Sequence, residues 1–330
     1  MTQDVHMPAE WAEQEWLWIG FPHDASLWLD DLVPAQEQMA AFANAVAETG
    51  QEVRLIVRDA ANEVRARQLV SGSVRCERHA YGDIWVRDSG PLVLTGPEGR
   101  RLARRFGFNG WGGKYLLDGD QTVGASMAEA AGLPGDAADW ILEGGAIDTD
   151  GTGLVVTTEQ CLLNPNRNPH LSREDIEQRL RRDLGFSRIL WLGEGLQGDH
   201  TDGHVDNLAR FVAPGTLAIP VATGPDDPNA AVYADARARA LDFGLEVREL
   251  PSPGRMDEAG IVEPASYMNF AICNKVVVVP TYGSYHDAEA VEAIGALFPG
   301  RAAVGIPAAA VLTGGGSFHC ASQHAPAASA

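Results

Sequence analysis

Basic residues are scarce in this sequence: 25 lysines and arginines stand against 45 aspartates and glutamates, which gives a net charge of −20. An acidic surface repels phosphate backbones and attracts small cations, so nucleic acid is not expected as a partner. Solubility alone would also explain the acidity, and the charge therefore supports a cationic ligand only weakly.

Long apolar stretches are missing too, since no run approaches the ~20 residues that a membrane helix needs. Residues 1–11 contain neither a basic segment nor an apolar one, as a secretory signal would. We therefore expect a cytoplasmic protein without a membrane partner.

Cysteine is rare as well, with four residues at wide and irregular spacing: Cys76, Cys161, Cys273 and Cys320. This spacing matches neither a disulfide framework nor a zinc motif, so reduced thiols are expected. No linker rich in proline and serine divides the 330 residues, and 45% of them are hydrophobic. Such a chain can bury a large core, and we predict a single domain over residues 1–330.

Helical and strand-like patterns alternate along the chain. The clearest unit begins at Ser172, a candidate helix N-cap, continues to Gly185, which ends the helix, and enters a strand at residues 188–192. Four further units end their helices at Gly50, Gly132, Gly244 and Gly300. The pattern predicts an α/β protein of five helix-then-strand units, although any α/β protein alternates the two elements.

The sequence also predicts where the helices and strands of these units begin and end. The predicted helices cover residues 34–48, 122–131, 173–184, 229–243 and 287–298. The strands predicted to follow them cover residues 52–57, 138–142, 188–192, 245–250 and 301–306. Further short strands are predicted at residues 154–158, 216–220 and 275–280.

Unusual polar residues lie in the loops that follow these strands. If five similar units close around an axis, such loops converge on one centre. The residues concerned, from the first unit to the fifth, are Trp85 and Asp88, Glu143, His204 and Asp206, Asn269, and Cys320.

Cys320 has the sequence setting of a nucleophile. It follows a glycine run at residues 314–316, where backbone amides are expected to approach closely and to lower the pKa of the thiol. The other three cysteines have the apolar or unremarkable surroundings of structural residues. A cysteine nucleophile needs a partner that transfers protons, and His200, His204 and His319 are candidates. His200-x-Asp202 and His204-x-Asp206 form the same pattern, and the residues alone do not distinguish them.

Three carboxylates, Asp88, Glu143 and Asp206, lie in loops rather than on charged helix faces. Lone carboxylates are usually solvated. Three that converge would instead form an anionic pocket for a planar guanidinium group, whose donors pair with carboxylates in a fork.

Several motifs, in order, strongly resemble the agmatine deiminase family of the guanidine-modifying (pentein) superfamily, which is related to bacterial peptidyl-arginine deiminases. They cover nearly the whole chain: MPAEW at residues 7–11, WVRDSGP at 85–91, LEGGAI at 142–147, LLNPNRNPH at 162–170, TDGHVDN at 201–207 and GGGSFHC at 314–320. The resemblance implies a pseudo-fivefold, five-bladed α/β propeller closed around a central active site, with a small cationic guanidine substrate, no cofactor, no metal and a homodimer.

The resemblance also implies roles for individual residues. Cys320 would be the nucleophile and His204 the general acid and base, which would leave His200 as a neighbour. Asp88 and Asp206 would hold the guanidinium nitrogens, and Glu143 would orient His204. Trp85 and Asn269 are further predicted substrate-binding residues.

The implied reaction is the hydrolysis of agmatine to N-carbamoylputrescine and ammonia through a covalent thiouronium intermediate. Free or peptidyl arginine is the alternative substrate, because the segment after Trp111 is shorter than in typical family members. A metal-dependent hydrolase that uses the cluster of His200 and His204, and a ligand-binding relative without catalysis, are the alternatives from other classes.

Overall fold

The structure, a computed structural model, describes residues 5–258 and 260–328. Residues 1–4, which belong to the N-terminal segment assessed above, lie outside this description, as do residues 259, 329 and 330. In the part of the chain that is described, none of the helices has the length and apolar character that crossing a membrane requires.

Short strands are distributed along the chain. Their bounds are β1 (Gln14–Gly20), β2 (Glu52–Val57), β3 (Arg75–Arg78), β4 (Leu92–Thr95), β5 (Arg101–Gly107), β6 (Gly135–Ile141), β7 (Ile147–Thr149), β8 (Leu154–Thr158), β9 (Arg188–Leu192), β10 (Arg210–Ala213), β11 (Thr216–Val221), β12 (Glu246–Pro251), β13 (Asp257–Glu258), β14 (Ile261–Val262), β15 (Ala271–Ile272), β16 (Val276–Thr281), β17 (Ala302–Pro307) and β18 (Ser322–Pro326). All eight strands that the sequence predicts are present, each within about three residues of its expected bounds.

The helices of at least eight residues are α1 (Leu32–Ala47), α2 (Ala60–Arg67), α3 (Asp120–Ala130), α4 (Arg173–Leu184), α5 (Ala230–Asp242) and α6 (Asp287–Leu297). Four-residue helical turns occur at Ala25–Trp28, Val86–Ser89, Gly110–Gly113, Glu159–Leu162 and Ala309–Leu312. Turns of 3-10 type occur at Leu29–Asp31, Pro97–Gly99, Gly144–Ala146, Val205–Asn207 and Tyr267–Asn269. The five predicted helices are found, and α2 was not predicted.

The predicted helix ends have the expected chemistry. Ser172 caps α4 through a hydrogen bond from the Asp175 N–H, and the Asp175 carboxylate accepts from the Ser172 N–H in return. All five glycines expected to end a helix have positive φ, between 65° at Gly132 and 95° at Gly300. Glycine adopts this left-handed conformation without steric cost, and it therefore ends these helices.

One arrangement of strands recurs in five sheets within the described residues. Two antiparallel strands come first, a helix follows, and a third strand returns parallel to the second. This order holds for β4-β5-β6, β7-β8-β9, β10-β11-β12 and β15-β16-β17. In the fifth of these sheets, β18-β1-β2-β3, the first strand comes from the other end of the chain, and β3 adds a fourth strand. A further sheet contains only β13 and β14.

The helices cover the sheets with apolar faces. Met39, Phe42 and Val46, which the sequence places on one face of α1, are fully buried against the sheet that contains β1 and β2. Burial of a side chain of this size stabilises the fold by about 1.5–3 kcal/mol. The loops between these elements carry the polar residues of the site.

Candidate active site

Cys320 is placed by the pairing of β18 with β1. Ile19 lies opposite Ser322 in this antiparallel pair, so the thiol precedes the last strand by two residues. The Cys320 N–H donates to Oδ1 of Asn269 at 3.1 Å, and Nδ2 of Asn269 lies 3.0 Å from the Cys320 sulfur. Asn269 therefore contacts the predicted nucleophile from two sides.

Three of the predicted site residues converge on Gly145. A Cβ atom at this position would lie 2.6 Å from Nδ1 of His204, 2.9 Å from Oδ1 of Asp88 and 3.0 Å from Oδ2 of Asp206. The Cys320 thiol donates to the same Asp206 oxygen at 3.4 Å. The structure thus brings together side chains that are up to 232 residues apart in the sequence, counted from Asp88 to Cys320.

The sequence predicts a lowered pKa for the Cys320 thiol, but its surroundings in the structure have the opposite effect. Burial, followed by the charges of Asp206 and Asp88, raises the pKa of Cys320 well above its ordinary value. The glycine run has a packing role instead, since a Cβ atom at Gly314 would lie 2.6 Å from the Trp28 ring. Without a cation in place, the site therefore favours the neutral thiol.

His204 is fully buried beside acidic groups. Burial alone would lower its pKa, but Asp88, Cys161 and Glu143 together raise it well above the ordinary value. His204 is therefore an imidazolium near neutral pH and has a proton to donate.

Glu143 is anchored by a buried arginine. Nε of Arg167 donates to Oε1 of Glu143 at 2.8 Å, and both side chains are fully buried. Arg167 also pairs with Asp202 and donates to the Thr201 carbonyl oxygen at 2.7 Å. The salt bridge fixes the carboxylate while the loop before His204 is held by the same guanidinium.

His319 connects Asp206 to a buried ionic network. Its Nδ1 lies 2.8 Å from Oδ2 of Asp206, and its Nε2 lies 2.8 Å from Oε2 of Glu10. Although burial favours the neutral acid, Arg210, His319 and Arg87 hold the pKa of Glu10 well below its ordinary value. Burial acts in the same way on Asp206, yet His319 keeps its pKa low, so this carboxylate stays ionised.

Asp88 is fixed by two donors. The Trp111 indole N–H donates to Oδ2 at 2.8 Å, and the Gly145 N–H donates to Oδ1 at 2.9 Å. Burial raises the pKa of Asp88, with His204 acting in the opposite direction. The carboxylate is therefore held in one orientation beside His204, whose Nδ1 lies 3.7 Å away.

A cavity of about 160 Å³ leads to this centre. Its lining includes Asp88 and Cys320 at the reactive end together with Trp28, Trp85 and Trp111. Trp85 thus lies on the cavity wall, as a substrate-binding residue would. Asn269 is not on this wall, and it reaches the site through its contacts with Cys320.

The two histidines that sequence alone did not distinguish lie in different surroundings. The His200 ring stacks on Tyr115 with 6.0 Å between ring centroids, whereas His204 is buried among the site carboxylates. In the described part of the chain, one group of three potential metal ligands has its ligating atoms within 4.8 Å of one another: Glu143, Cys161 and His204. This group lacks His200, so the predicted His200/His204 ligand cluster is not assembled.

Comparison with known proteins gives the context of this site. Residues 6–326 match the Porphyromonas-type peptidyl-arginine deiminase family. The chain belongs to this family. A relative from Pseudomonas putida, an agmatine deiminase, is 36% identical over 98% of this chain and 95% of its own length. The resemblance inferred from the motifs is confirmed.

Two solved structures of the family share the fold. The agmatine deiminase of Enterococcus faecalis, described as catalysing its reaction, superposes with a TM-score of 0.95 at 32% identity, over 99% of this chain and 97% of that one. A cysteine-to-serine variant of the C. jejuni agmatine deiminase with substrate bound gives 0.91 at 29% identity, over 98% and 97%. The protein therefore has the mixed α/β fold of these family structures.

Within this family fold, sequence reasoning overlooked several residues that shape the site. Arg167 lies in the recognised motif LLNPNRNPH, and Trp111 lies in a further sequence, FNGWGG at residues 108–113, yet no role was given to them. Glu10 lies in MPAEW, and Cys161 was interpreted as structural although its sulfur is close to His204. The signal available for Trp111, Arg167 and Glu10 was their place in a family motif.

Proposed function

We propose that the protein is an agmatine deiminase, which hydrolyses agmatine to N-carbamoylputrescine and ammonia. The observation that carries this function is the convergence of Asp88, His204 and Asp206 on Gly145, with the Cys320 thiol 3.4 Å from Asp206. The names of the relatives in Pseudomonas putida and Enterococcus faecalis support the same activity.

Binding of the guanidinium group follows from the charges of the site. Among the described residues, Oδ1 of Asp206 and Oε2 of Glu143 are buried and make no hydrogen bond. Buried acceptors of this kind are stabilised by donors, and a guanidinium presents five N–H groups in one plane. We assign Asp88 and Asp206 to the guanidinium nitrogens, with Asn269 and Trp85 beside the reacting group.

The bound cation also activates the nucleophile. Burial and the charges of Asp206 and Asp88 raise the pKa of Cys320, and a guanidinium between the two carboxylates offsets their negative charge. The pKa of the thiol therefore falls when substrate binds, the thiol proton leaves to solvent, and the thiolate forms where the electrophilic carbon is held. This order keeps the free enzyme's cysteine unreactive.

The chemical steps then use one sulfur and one imidazole. The Cys320 thiolate forms a bond to the guanidinium carbon, and ammonia leaves with a proton from the His204 imidazolium. The covalent thiouronium remains. His204, now neutral, accepts a proton from a water molecule that attacks the same carbon. The C–S bond then breaks as the remaining hydroxyl proton passes to the sulfur, which releases the neutral ureido product and restores the Cys320 thiol. Glu143 balances the charge of His204 during both transfers.

The larger arrangement is part of the same proposal. The repeated order of two antiparallel strands, a helix and a parallel strand in five sheets supports a five-bladed propeller whose loops meet at the site. We propose that residues 1–330 form one such domain. A homodimer, a cytoplasmic location and the absence of a cofactor stay predictions from the sequence.

Product analysis tests the proposed function. Purified protein is incubated with agmatine, free arginine and an arginine-containing peptide, and the amounts of ureido product and ammonia are measured. Deimination produces the two in equal amounts. We expect turnover of agmatine, and turnover of another guanidine alone would contradict the substrate assignment. The Cys320→Ser variant should lose turnover, whereas Cys273→Ser, which alters another buried cysteine, should retain it.

A further inference from the structure

The wall of the cavity carries a second carboxylate that the catalytic steps do not use. Asp83 lines the cavity together with Trp28 and Trp85, and its side chain is partly exposed there. Asp88, which we assign to the guanidinium group, lies on the same wall. A substrate in this cavity therefore meets negative charge at two places.

Both indoles beside Asp83 donate to it. Nε1 of Trp28 lies 3.1 Å from Oδ1, and Nε1 of Trp85 lies 2.9 Å from Oδ2. The Ile84 N–H donates to Oδ1 at 2.8 Å. Each carboxylate oxygen has two acceptor positions, so Oδ2 has room for another donor beside the Trp85 N–H.

Trp85 separates Asp83 from the nucleophile. The six-membered ring of Trp85 faces Gly316, where a Cβ atom would lie 2.7 Å from Cζ3 of Trp85 and 3.1 Å from the Cβ atom of Cys320. The opposite edge of the same indole, Nε1, donates to Asp83. One indole and one hydrogen bond therefore lie between Cys320 and Asp83. Six single bonds connect the guanidinium carbon of agmatine to its ammonium nitrogen, and when extended they span roughly 7 Å, a length comparable with this separation.

We propose that Asp83, between the indoles of Trp28 and Trp85, is the subsite for a terminal ammonium group and selects guanidines with a cationic tail and no carboxylate. This inference rests on the proposed deiminase function and goes further, because it assigns the end of the substrate that the reaction leaves unchanged. The two indoles are stacked with 6.0 Å between ring centroids and supply an apolar wall with electron-rich faces.

The charge around the subsite agrees with this ligand. Burial raises the pKa of Asp83 to about 7, with Asp120 acting in the same direction. An adjacent ammonium favours the ionised carboxylate, so the two groups stabilise each other. Among the described residues that line the cavity, none is arginine or lysine.

Free arginine is disfavoured by the same arrangement. Its α-ammonium is as many bonds from the guanidinium carbon as that of agmatine, but its α-carboxylate would lie beside Asp83. Two carboxylates without a cation between them repel each other, and a poorly paired charge costs binding energy. Selection against arginine thus comes from the group that binds agmatine.

The test compares three substrates that share the reacting guanidinium group and differ in the rest of the molecule. Agmatine, N-butylguanidine, which has the same four-carbon chain without the terminal ammonium, and L-arginine are assayed with wild-type protein and with Asp83→Asn. In wild type we expect kcat/KM for agmatine to exceed that for N-butylguanidine by about tenfold to hundredfold, as a charged hydrogen bond would give. The Asp83→Asn variant should lose most of this preference, mainly through KM for agmatine.

Controls separate charge from structural damage. Asp118→Asn removes the same charge from a side chain that is 97% exposed, and it should leave the preference unchanged. An equal loss on agmatine and N-butylguanidine in Asp83→Asn, or equal turnover of the two by wild type, would overturn the subsite. If wild type deiminates none of the three guanidines, the proposed function fails, which is a different result from a loss of selectivity.

Discussion

The backbone N–H of Gly145 donates to Oδ1 of Asp88 at 2.9 Å, while the α-carbon of the same glycine faces His204 and Asp206. A residue without a side chain is thus the meeting point of the acid–base group and two carboxylates. The absence of a side chain at position 145 is therefore required for these three groups to lie this close together.

A methyl group at position 145 should therefore disable the enzyme. The added Cβ atom of Gly145→Ala would lie within 3.0 Å of three polar atoms, so these side chains have to move. Misplacement by about 1 Å is expected to lower kcat/KM about 100-fold. Gly72→Ala is the matched control, since nothing lies within 4 Å of its added Cβ atom, and it should keep full activity in the same assay.

The free enzyme should react slowly with a neutral alkylating reagent. Because burial and the charges of Asp206 and Asp88 raise the pKa of Cys320, inactivation by iodoacetamide should accelerate as the pH rises above 9. Asp206→Asn removes one of those charges and should shift the profile to lower pH, with a several-fold faster reaction at pH 8. The rate is read from mass spectrometry of the Cys320 peptide, which does not depend on the activity of the variant. A profile that stays unchanged or moves upwards in Asp206→Asn would contradict this account.

Loss of the Arg167 side chain should destabilise the fold and the site together. Arg167→Met leaves the fully buried Glu143 without its partner, which is expected to cost about 3–5 kcal/mol of unfolding free energy. Arg173→Met is the control because its pair with Glu159 is partly exposed at the surface, and surface pairs contribute only ~0–1 kcal/mol. Urea unfolding at pH 7 measures the free energy of unfolding of both variants. Equal decreases would show that the buried pair of Arg167 and Glu143 contributes no more to stability than a surface pair.

His324 should make the protein sensitive to acid. Burial, reinforced by the charge of Arg87, lowers the pKa of His324 to about 3. The unfolded chain, with its ordinary value near 6.5, binds the proton more readily, so this contribution to stability is complete above pH 6.5. It is lost progressively as the pH falls from 6.5 towards 3.

Replacement by an uncharged acceptor tests this point. His324→Gln retains a group that can accept from Arg87 but does not titrate, so its acid unfolding midpoint should lie at lower pH than that of wild type. The midpoint is followed by circular dichroism. If the two proteins unfold at the same pH, the titration of His324 is not a source of acid lability.

The local elements of this fold were predictable because their signals are local. Ser172, its capping partner Asp175 and Gly185 are within one helix length of each other, and the apolar face of α1 follows from spacing alone. The site residues could be named because they lie in loops with unusual composition and in motifs of one family.

Other features depend on contacts that no local pattern records. The sequence does not indicate that the strand after Cys320 pairs with residues 14–20, which is why β1 and β18 were not predicted. The lowered thiol pKa expected from the glycine run was wrong, because burial and the charges of Asp206 and Asp88 raise the pKa of Cys320. Asn269 was predicted to bind substrate, which stays a prediction; in the structure its side chain contacts Cys320 and Asn207.

The pairing of β18 with β1 also determines when this protein becomes an enzyme. Synthesis proceeds from the N-terminus, so Asp88, Glu143, His204 and Asp206 are all made before the thiol they surround. The thiol is held among them by the pairing of residues 322–326 with β1, a contact that closes a loop of about 300 residues. Catalysis is thus withheld until folding has joined distant parts of the chain.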